Sequence, residues 1–186
     1  MKLILASNSP RRKEILEKFG YRFTVIKSDY EEKEDIFDPR LLVKTFAEKK
    51  AESVFSSLSE AEKDEAVVLG ADTVVVLKGK ILGKPKDDRD AVNMLKSLSG
   101  RTHLVLTGYA VITGGKTFSG VAETKVVFNT LTDKFITDYV ATGSPLDKAG
   151  AYGIQDGTLV KKYVGSLYNV IGLPIEEIAP ILKKLL

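Results

Sequence analysis

The chain contains no cysteine and a single histidine, His103. Disulfides, thiol nucleophiles and thiolate-bound zinc are thereby excluded, as is a zinc site built on several histidines. Charge of one sign is also scarce, with 28 Lys plus Arg against 25 Asp plus Glu and a formal net charge of +3. So even a balance argues against a dedicated nucleic-acid binder, whose basic excess drives contact with the phosphate backbone. Long apolar runs are missing as well. The N-terminal run Leu3–Ala6 is shorter than the ~7–15 residues of a signal-peptide core. No stretch approaches the ~18 residues of a membrane span. The expectation is a cytoplasmic protein without a membrane partner, whose acid–base chemistry falls to carboxylates, Lys, Arg or backbone.

What remains is ordinary: 44% hydrophobic and 28% charged residues over 186 positions, enough for one α/β domain, 1–186, with two lobes. Leu3–Ala6 reads as a buried strand. It runs into a helix that opens at Ser9-Pro10, with Ser9 as N-cap and Ile15, Leu16 and Phe19 on one face. Gly20 closes that helix and Tyr21–Ile26 reads as a second strand. An acidic loop (Glu31, Glu32, Glu34, Asp35) precedes a helix from Pro39 to Phe55, and a polar linker spans Ser56–Glu65. The most apolar strand, Ala66–Leu77, follows, with turns at Gly79 and at Gly83-Lys84-Pro85. Asp87/Asp88 cap a helix ending at Gly100, and strands His103–Ile112 and Thr117–Phe128 join through Gly114-Gly115. Thr132 caps a further helix, Pro145–Gly157 is a glycine-punctuated loop, Thr158–Val164 a strand, and Pro174 opens the last helix. No internal repeat or low-complexity segment interrupts this order.

Three places break the local pattern. Asp72 lies inside Val67–Leu77, a strand apolar on both faces and therefore central in its sheet. A carboxylate buried there without partners would cost several kcal/mol. Gly70, two residues upstream, admits a close backbone or ligand. Lys50 falls in the middle of the stripe Val43, Phe46, Ala47, Ala51 and Val54 on its helix, where it either snorkels or meets an anion. Ser7–Arg12 is a strand-to-helix loop with free N–H groups and two arginines in a first helical turn, electrostatically misplaced unless an anion neutralises them. His103, at the start of a strand, reads as structural or exposed. The acidic run reads as a solvated loop, although such carboxylates could hold Mg²⁺ beside phosphates. Gly115-Lys116-Thr117 imitates the end of a P-loop, but the required earlier glycine is Ala110 and the segment is a hairpin. Gly150–Gly157 matches no dinucleotide fingerprint, yet its Gln155 amide could read a base edge. A metal–polyphosphate ligand would satisfy these anomalies together.

Several collinear motifs carry a family resemblance. They are Ser7-Asn8-Ser9-Pro10-Arg11-Arg12-Lys13-Glu14-Ile15-Leu16, Gly70-Ala71-Asp72-Thr73-Val74-Val75, Gly83-Lys84-Pro85 and Leu98-Ser99-Gly100-Arg101-Thr102-His103. Pro145-Leu146-Asp147-Lys148-Ala149-Gly150-Ala151-Tyr152-Gly153-Ile154-Gln155 and Asn169-Val170-Ile171-Gly172-Leu173-Pro174 complete the set, which spans essentially the whole chain. The sequence resembles the Maf family of nucleotide pyrophosphatases, also called septum-formation inhibitors. The resemblance implies hydrolysis of a nucleoside triphosphate to monophosphate and pyrophosphate with a divalent metal, Mg²⁺ or Mn²⁺. It also implies an elongated, mixed-sheet α/β fold with two lobes and a central cleft, similar to inosine-triphosphate pyrophosphatases; a homodimer fits the family.

By position, Asp72 looks like the family's proton acceptor. Arg11, Thr73 and Gln155 match positions linked to substrate choice, and as Arg, Thr and Gln they resemble the dTTP/UTP type, with CTP or modified pyrimidine nucleotides as further substrates. The 7-methyl-GTP subgroup typically has Trp at the Arg11 position. Ser7, Arg12, Glu32, Lys50 and Lys84 fall on phosphate- or metal-site positions, with Glu32 and Asp72 on the metal side and Glu31 an alternative to Glu32. Thr73 and Gln155 are expected to face the base. Ser144 departs from the acidic residue that often precedes Pro145. The competing readings are a non-catalytic, nucleotide-binding regulator of cell division and, disfavoured by charge, a nucleic-acid binder.

Overall fold

The fold was described from a computed structural model, which covers residues 1–33 and 35–186; Glu34 of the acidic run lies outside them. The elements are β1 (Lys2–Leu5), α1 (Pro10–Lys18), β2 (Phe23–Val25), α2 (Pro39–Ser57), α3 (Glu60–Lys63), β3 (Ala66–Leu77), β4 (Lys80–Leu82) and α4 (Asp88–Leu98). They continue with β5 (Thr102–Ile112), β6 (Thr117–Phe128), α5 (Asp133–Ala141), β7 (Val160–Val164), α6 (Leu167–Ile171) and α7 (Ile175–Leu185). One mixed seven-stranded sheet runs β2-β1-β3-β5-β6-β7, with β4 on β3. β1 is parallel to both β2 and β3, and the remaining pairs are antiparallel.

β3 occupies the central position its sequence demands. β5 lines one edge from Val68 to Val76. The other edge is shared: β1 pairs with Ala66–Leu69 and β4 with Val75–Leu77. Between them, Gly70–Val74 has no strand neighbour on that edge among the described residues. Because side chains alternate along a strand, β3 feeds two faces. On one, Val67, Leu69 and Ala71 join Ile15, Leu16, Ile175, Ile178 and Leu182 in a core under α1 and α7. Further along the same face, Val75 and Leu77 join Leu95, Leu98, Ile136 and Val140 in a core with α4 and α5. These two cores are the two lobes. The opposite face, with Val68, Val74 and Val76, is covered by α2. Each fully buried aliphatic side chain in these cores contributes roughly 1.5–3 kcal/mol.

α2 is the element that the site depends on. The Asp38 carboxylate caps it by accepting from Arg40 N and Leu41 N, and Pro39 opens it. It lies almost against the sheet because β3 and β5 carry glycines beneath it. A Cβ on Gly70 would sit 2.4 Å from the Ala47 carbonyl, and one on Gly108 2.1 Å from the Val43 carbonyl. The close neighbour admitted by Gly70 is therefore the backbone of α2.

Several local expectations are corrected. The polar linker is not irregular: α2 runs on to Ser57, and Ser59 and Glu62 form a capping box for α3. A strand, β4, lies between the Gly79 and Gly83 turns. The 145–157 loop contains 3₁₀ turns at Ser144–Asp147 and Ala149–Ala151, and α6 precedes the last helix. β2 and β7 are shorter than their sequence patterns. Ser9 holds the N-cap position of α1, but its side chain makes no capping bond.

Candidate active site

The open edge of β3 borders a cleft of about 400 Å³, lined by Arg11, Arg12, Glu32, Lys50, Asp72, Thr73, Lys84 and Gln155 among others. That volume falls in the range of small-molecule sites. Eight of the sequence-derived candidates are thus brought together from α1, the acidic loop, α2, β3, the β4 turn and the 144–156 segment. Ser7 is not on the wall.

Of its two alternatives, Lys50 takes the anion partner. Its Nζ donates to Asp72 Oδ1 at 2.6 Å and pairs with Glu32 Oε1, also at 2.6 Å. The Lys50 and Asp72 side chains are 17% and 13% exposed. Burial pushes the Asp72 carboxyl above the usual carboxylate range, while Lys50 and Arg12 pull the other way without cancelling it. Glu32, not Glu31, reaches this cluster; Glu31 pairs with Lys33.

Arg12 is built into the lining by three hydrogen bonds. Its Nε donates to the Gly172 carbonyl at 2.8 Å, Nη1 to Ser7 Oγ at 3.0 Å and Nη2 to Thr73 Oγ1 at 3.2 Å. Burial lowers its pKa, partly offset by Asp72, but a guanidinium starts so high that it stays charged at neutral pH. Ser7 lies off the lining and accepts from Arg12, while Thr73 lines the cleft with its hydroxyl bonded to Arg12 and Thr107.

Arg11 already has an anion. Its Nη1 donates to Asp147 Oδ2 at 2.7 Å and its Nη2 to the Asp147 carbonyl at 3.1 Å. Asp147 is also bonded by Lys148 Nζ at 2.9 Å. Burial opposes ionisation of Asp147, but the bonds from Arg11 and Lys148 prevail and hold its carboxyl below the usual range. Sequence reasoning took Asp147 only as part of a motif, since an aspartate in a polar loop carries no burial signal.

Gln155 is exposed on a turn. Its neighbour Asp156 accepts from Tyr139 Oη at 2.7 Å and from Ser144 Oγ at 2.8 Å, which pins the segment. Gly150 brings the same segment down onto β3: its φ is +68° and a Cβ there would lie 2.7 Å from Val75 Cγ2. Lys84 is exposed and has no ion pair among the described residues. His103 is buried, resolving the structural-or-exposed alternative, with Nε2 2.8 Å from Tyr152 Oη.

Asp72 and Glu32 converge on one cation, Lys50 Nζ, so their oxygens face a common point. Hard oxygen donors of this kind suit Mg²⁺ or Mn²⁺, which lean on one or two carboxylates plus substrate phosphates. No group of three or more His, Cys, Asp or Glu able to hold a metal occurs among the described residues. The donors therefore fit a cation shared with a polyphosphate, not a protein-only cage.

In this α/β fold a desolvated carboxylate and several cations line one cleft, a combination that suits a polyanionic small molecule. The chain belongs to the family described as Maf-like protein, whose family model matches residues 2–185. It is 48% identical over 178 residues, 95% of this chain and 93% of the relative, to a protein of Thermococcus kodakarensis named dTTP/UTP pyrophosphatase. Relatives of the same name from Alkaliphilus metalliredigens and Aquifex aeolicus are 46% and 45% identical, covering 98% and 100% of this chain and 95% and 96% of theirs. No helix among the described residues is long and apolar enough to cross a membrane.

Proposed function

We propose that the chain hydrolyses dTTP and UTP to the monophosphate and pyrophosphate. The observation that carries this reading is the largely buried Asp72–Lys50 pair lining the same cleft as Arg12. The name shared by the relatives, at 45–48% identity over nearly the full chain, supports the substrate class.

Lys50 holds Asp72 Oδ1, which leaves Oδ2 to accept a proton from water. Desolvation raises the basicity of this carboxylate above that of an exposed one. As the water oxygen bonds to the α-phosphorus, the bond from that phosphorus to the α,β-bridging oxygen breaks. The electron pair leaves with pyrophosphate, and Asp72 later returns its proton to solvent. Arg12, Lys50 and Lys84 stabilise charge on the phosphates, the main demand of phosphoryl transfer. Arg11 exchanges Asp147 for a phosphate oxygen or the nucleotide edge, and Gln155 offers an amide donor and acceptor to the base. A divalent cation, Mg²⁺ or Mn²⁺, held by Asp72 and Glu32 would neutralise phosphate charge.

Product analysis tests the reading. UTP or dTTP with Mg²⁺ or Mn²⁺ should give UMP or dTMP and pyrophosphate. Release of orthophosphate with UDP would refute the choice of bond, and saturable binding without turnover would favour a non-catalytic regulator. Asp72→Asn should cut kcat by orders of magnitude in a folded protein; if turnover survives, Asp72 is structural.

A further inference from the structure

Thr107 lies in β5, directly opposite Thr73 of β3, and is fully buried. Its hydroxyl is part of a directed chain. The Asn169 carbonyl can only accept, so Thr107 Oγ1 donates its proton there at 3.0 Å. Thr107 Oγ1 is then an acceptor for Thr73 Oγ1 at 2.9 Å, which commits the Thr73 proton. What Thr73 presents to Arg12 Nη2, at 3.2 Å, is a lone pair. The far end of the chain is rigid. Asn169 Nδ2 donates to the Val105 carbonyl at 3.1 Å and to Thr124 Oγ1 at 3.0 Å, and Thr124 Oγ1 donates to the Ser166 carbonyl at 3.0 Å. The Gly172 carbonyl, directly after α6, takes Arg12 Nε at 2.8 Å.

We propose that Thr107 is a positioning residue that acts through Thr73 to fix the orientation of Arg12, with α6 as the anchor. Without the Thr107 hydroxyl, Thr73 is free to turn its own proton toward Arg12, and donor then meets donor. This assignment rests on the reading of Arg12 as a phosphate ligand, but its geometric half is independent of it.

The test uses Thr107→Val, Thr107→Ser and Thr73→Val in the full chain. Binding of inorganic pyrophosphate is measured by calorimetry, KM and kcat with UTP, and the Arg12 guanidinium signals by NMR of ¹⁵N-arginine-labelled protein. Thr107→Val should stay cooperatively folded, lose roughly fivefold to tenfold in pyrophosphate affinity, the scale of one lost hydrogen bond, and collapse the resolved Arg12 Nη signals. Thr107→Ser should restore both. Thr73→Val should reproduce the loss and, combined with Thr107→Val, add little to it. Unchanged Arg12 signals in Thr107→Val, or Thr107→Ser as impaired as Thr107→Val, would overturn the proposal. If the wild-type protein fails to bind pyrophosphate, the functional reading fails while the Arg12 signals still decide the positioning role. Should Thr107→Val not fold, Thr73→Val breaks the same link, and unchanged Arg12 signals in that variant would overturn the proposal equally.

Discussion

Removing the Lys50 ammonium should destabilise the protein more than removing the Asp72 charge, and the deficit should grow with pH. Lys50 has two carboxylate partners at 2.6 Å, Asp72 and Glu32, whereas among the described residues Asp72 has only Lys50 at that range. Lys50→Met therefore leaves a carboxylate that is 13% exposed with no bonded cation. Breaking a buried pair from one side costs about 3–5 kcal/mol, and the partial exposure of Glu32 and Lys50 favours about 3. Asp72→Asn leaves Lys50 paired with Glu32 and an amide oxygen in place of the carboxylate, at a cost of about 1 kcal/mol. The pH dependence follows from linkage. The folded Asp72 carboxyl already lies above its ordinary value through desolvation, and the loss of Lys50 raises it further. Where the folded state holds a proton that the unfolded state has released, stability falls as pH rises. Relative to wild type, the Lys50→Met deficit should open once pH passes the raised value at which Asp72 ionises in the wild-type fold, which lies above the ordinary carboxylate range, and widen until Asp72 ionises in the folded variant. Urea unfolding at several pH values measures it. A Lys50→Met deficit that is flat with pH, or a double variant Lys50→Met/Asp72→Asn no more stable than Lys50→Met alone at pH 8, would refute the assignment of an obligatory pair.

His103 predicts the opposite slope. Burial lowers its pKa to about 4, so between pH 6.5 and 4 the unfolded chain binds a proton that the folded one refuses. Stability should fall by about 3 kcal/mol over that window as pH decreases; denaturant titrations of wild type and His103→Leu should diverge in slope there. Gly108→Ala forces a Cβ to within 2.1 Å of the Val43 carbonyl, and should cost about 3 kcal/mol or more by overpacking. Because the displaced helix carries Lys50, that substitution should also reduce UTP turnover, and a melting temperature equal to wild type would contradict the close approach of α2. Asp147→Asn breaks a pair whose carboxylate is 54% exposed, so stability should change by less than about 1 kcal/mol, while the KM for UTP shifts as Arg11 is released.

The reading of Asp72 and Lys50 from pattern alone succeeded because each violates a burial rule. A charge in a two-face apolar strand requires a partner, a lysine in an apolar helical stripe either snorkels or meets one, and here each is the other's. The bonds of Ser7 and Thr73 to Arg12 were not legible. Both are small hydroxyl residues, and sequence position does not say which neighbour a hydroxyl bonds. Thr107, Asn169 and Asp147 were not legible as site residues, since threonine is at home in a strand and an aspartate in a loop is unremarkable. β4 and α6 are too short, at three and five residues, for periodicity to register. Their existence depends on pairing with β3 and packing across β5 and β6.

The location of the cleft follows from unequal strand lengths. β3 has twelve residues, while the two strands sharing its second edge have four and three, so the edge stays open along Gly70–Val74. Adjacent strand residues point to opposite faces; Asp72 turns to α2 and Lys50, and Thr73 to Arg12 and α6. In a closed sheet those two sets of groups would be sealed from each other by the strand between them. Only at an open edge can one ligand touch both. The same geometry explains the polar seam on the Thr73 face: along β5, Tyr109 belongs to the core under α1 and α7, Val105 to the core under α4 and α5, and Thr107 lies between them. Polar groups buried between the two cores are costly unless most of them are bonded. The Thr73–Thr107–Asn169 chain bonds both threonine hydroxyls and the Asn169 amide nitrogen, leaving only Asn169 Oδ1 without a partner among the described residues, and so ties the packing between the two cores to the position of Arg12.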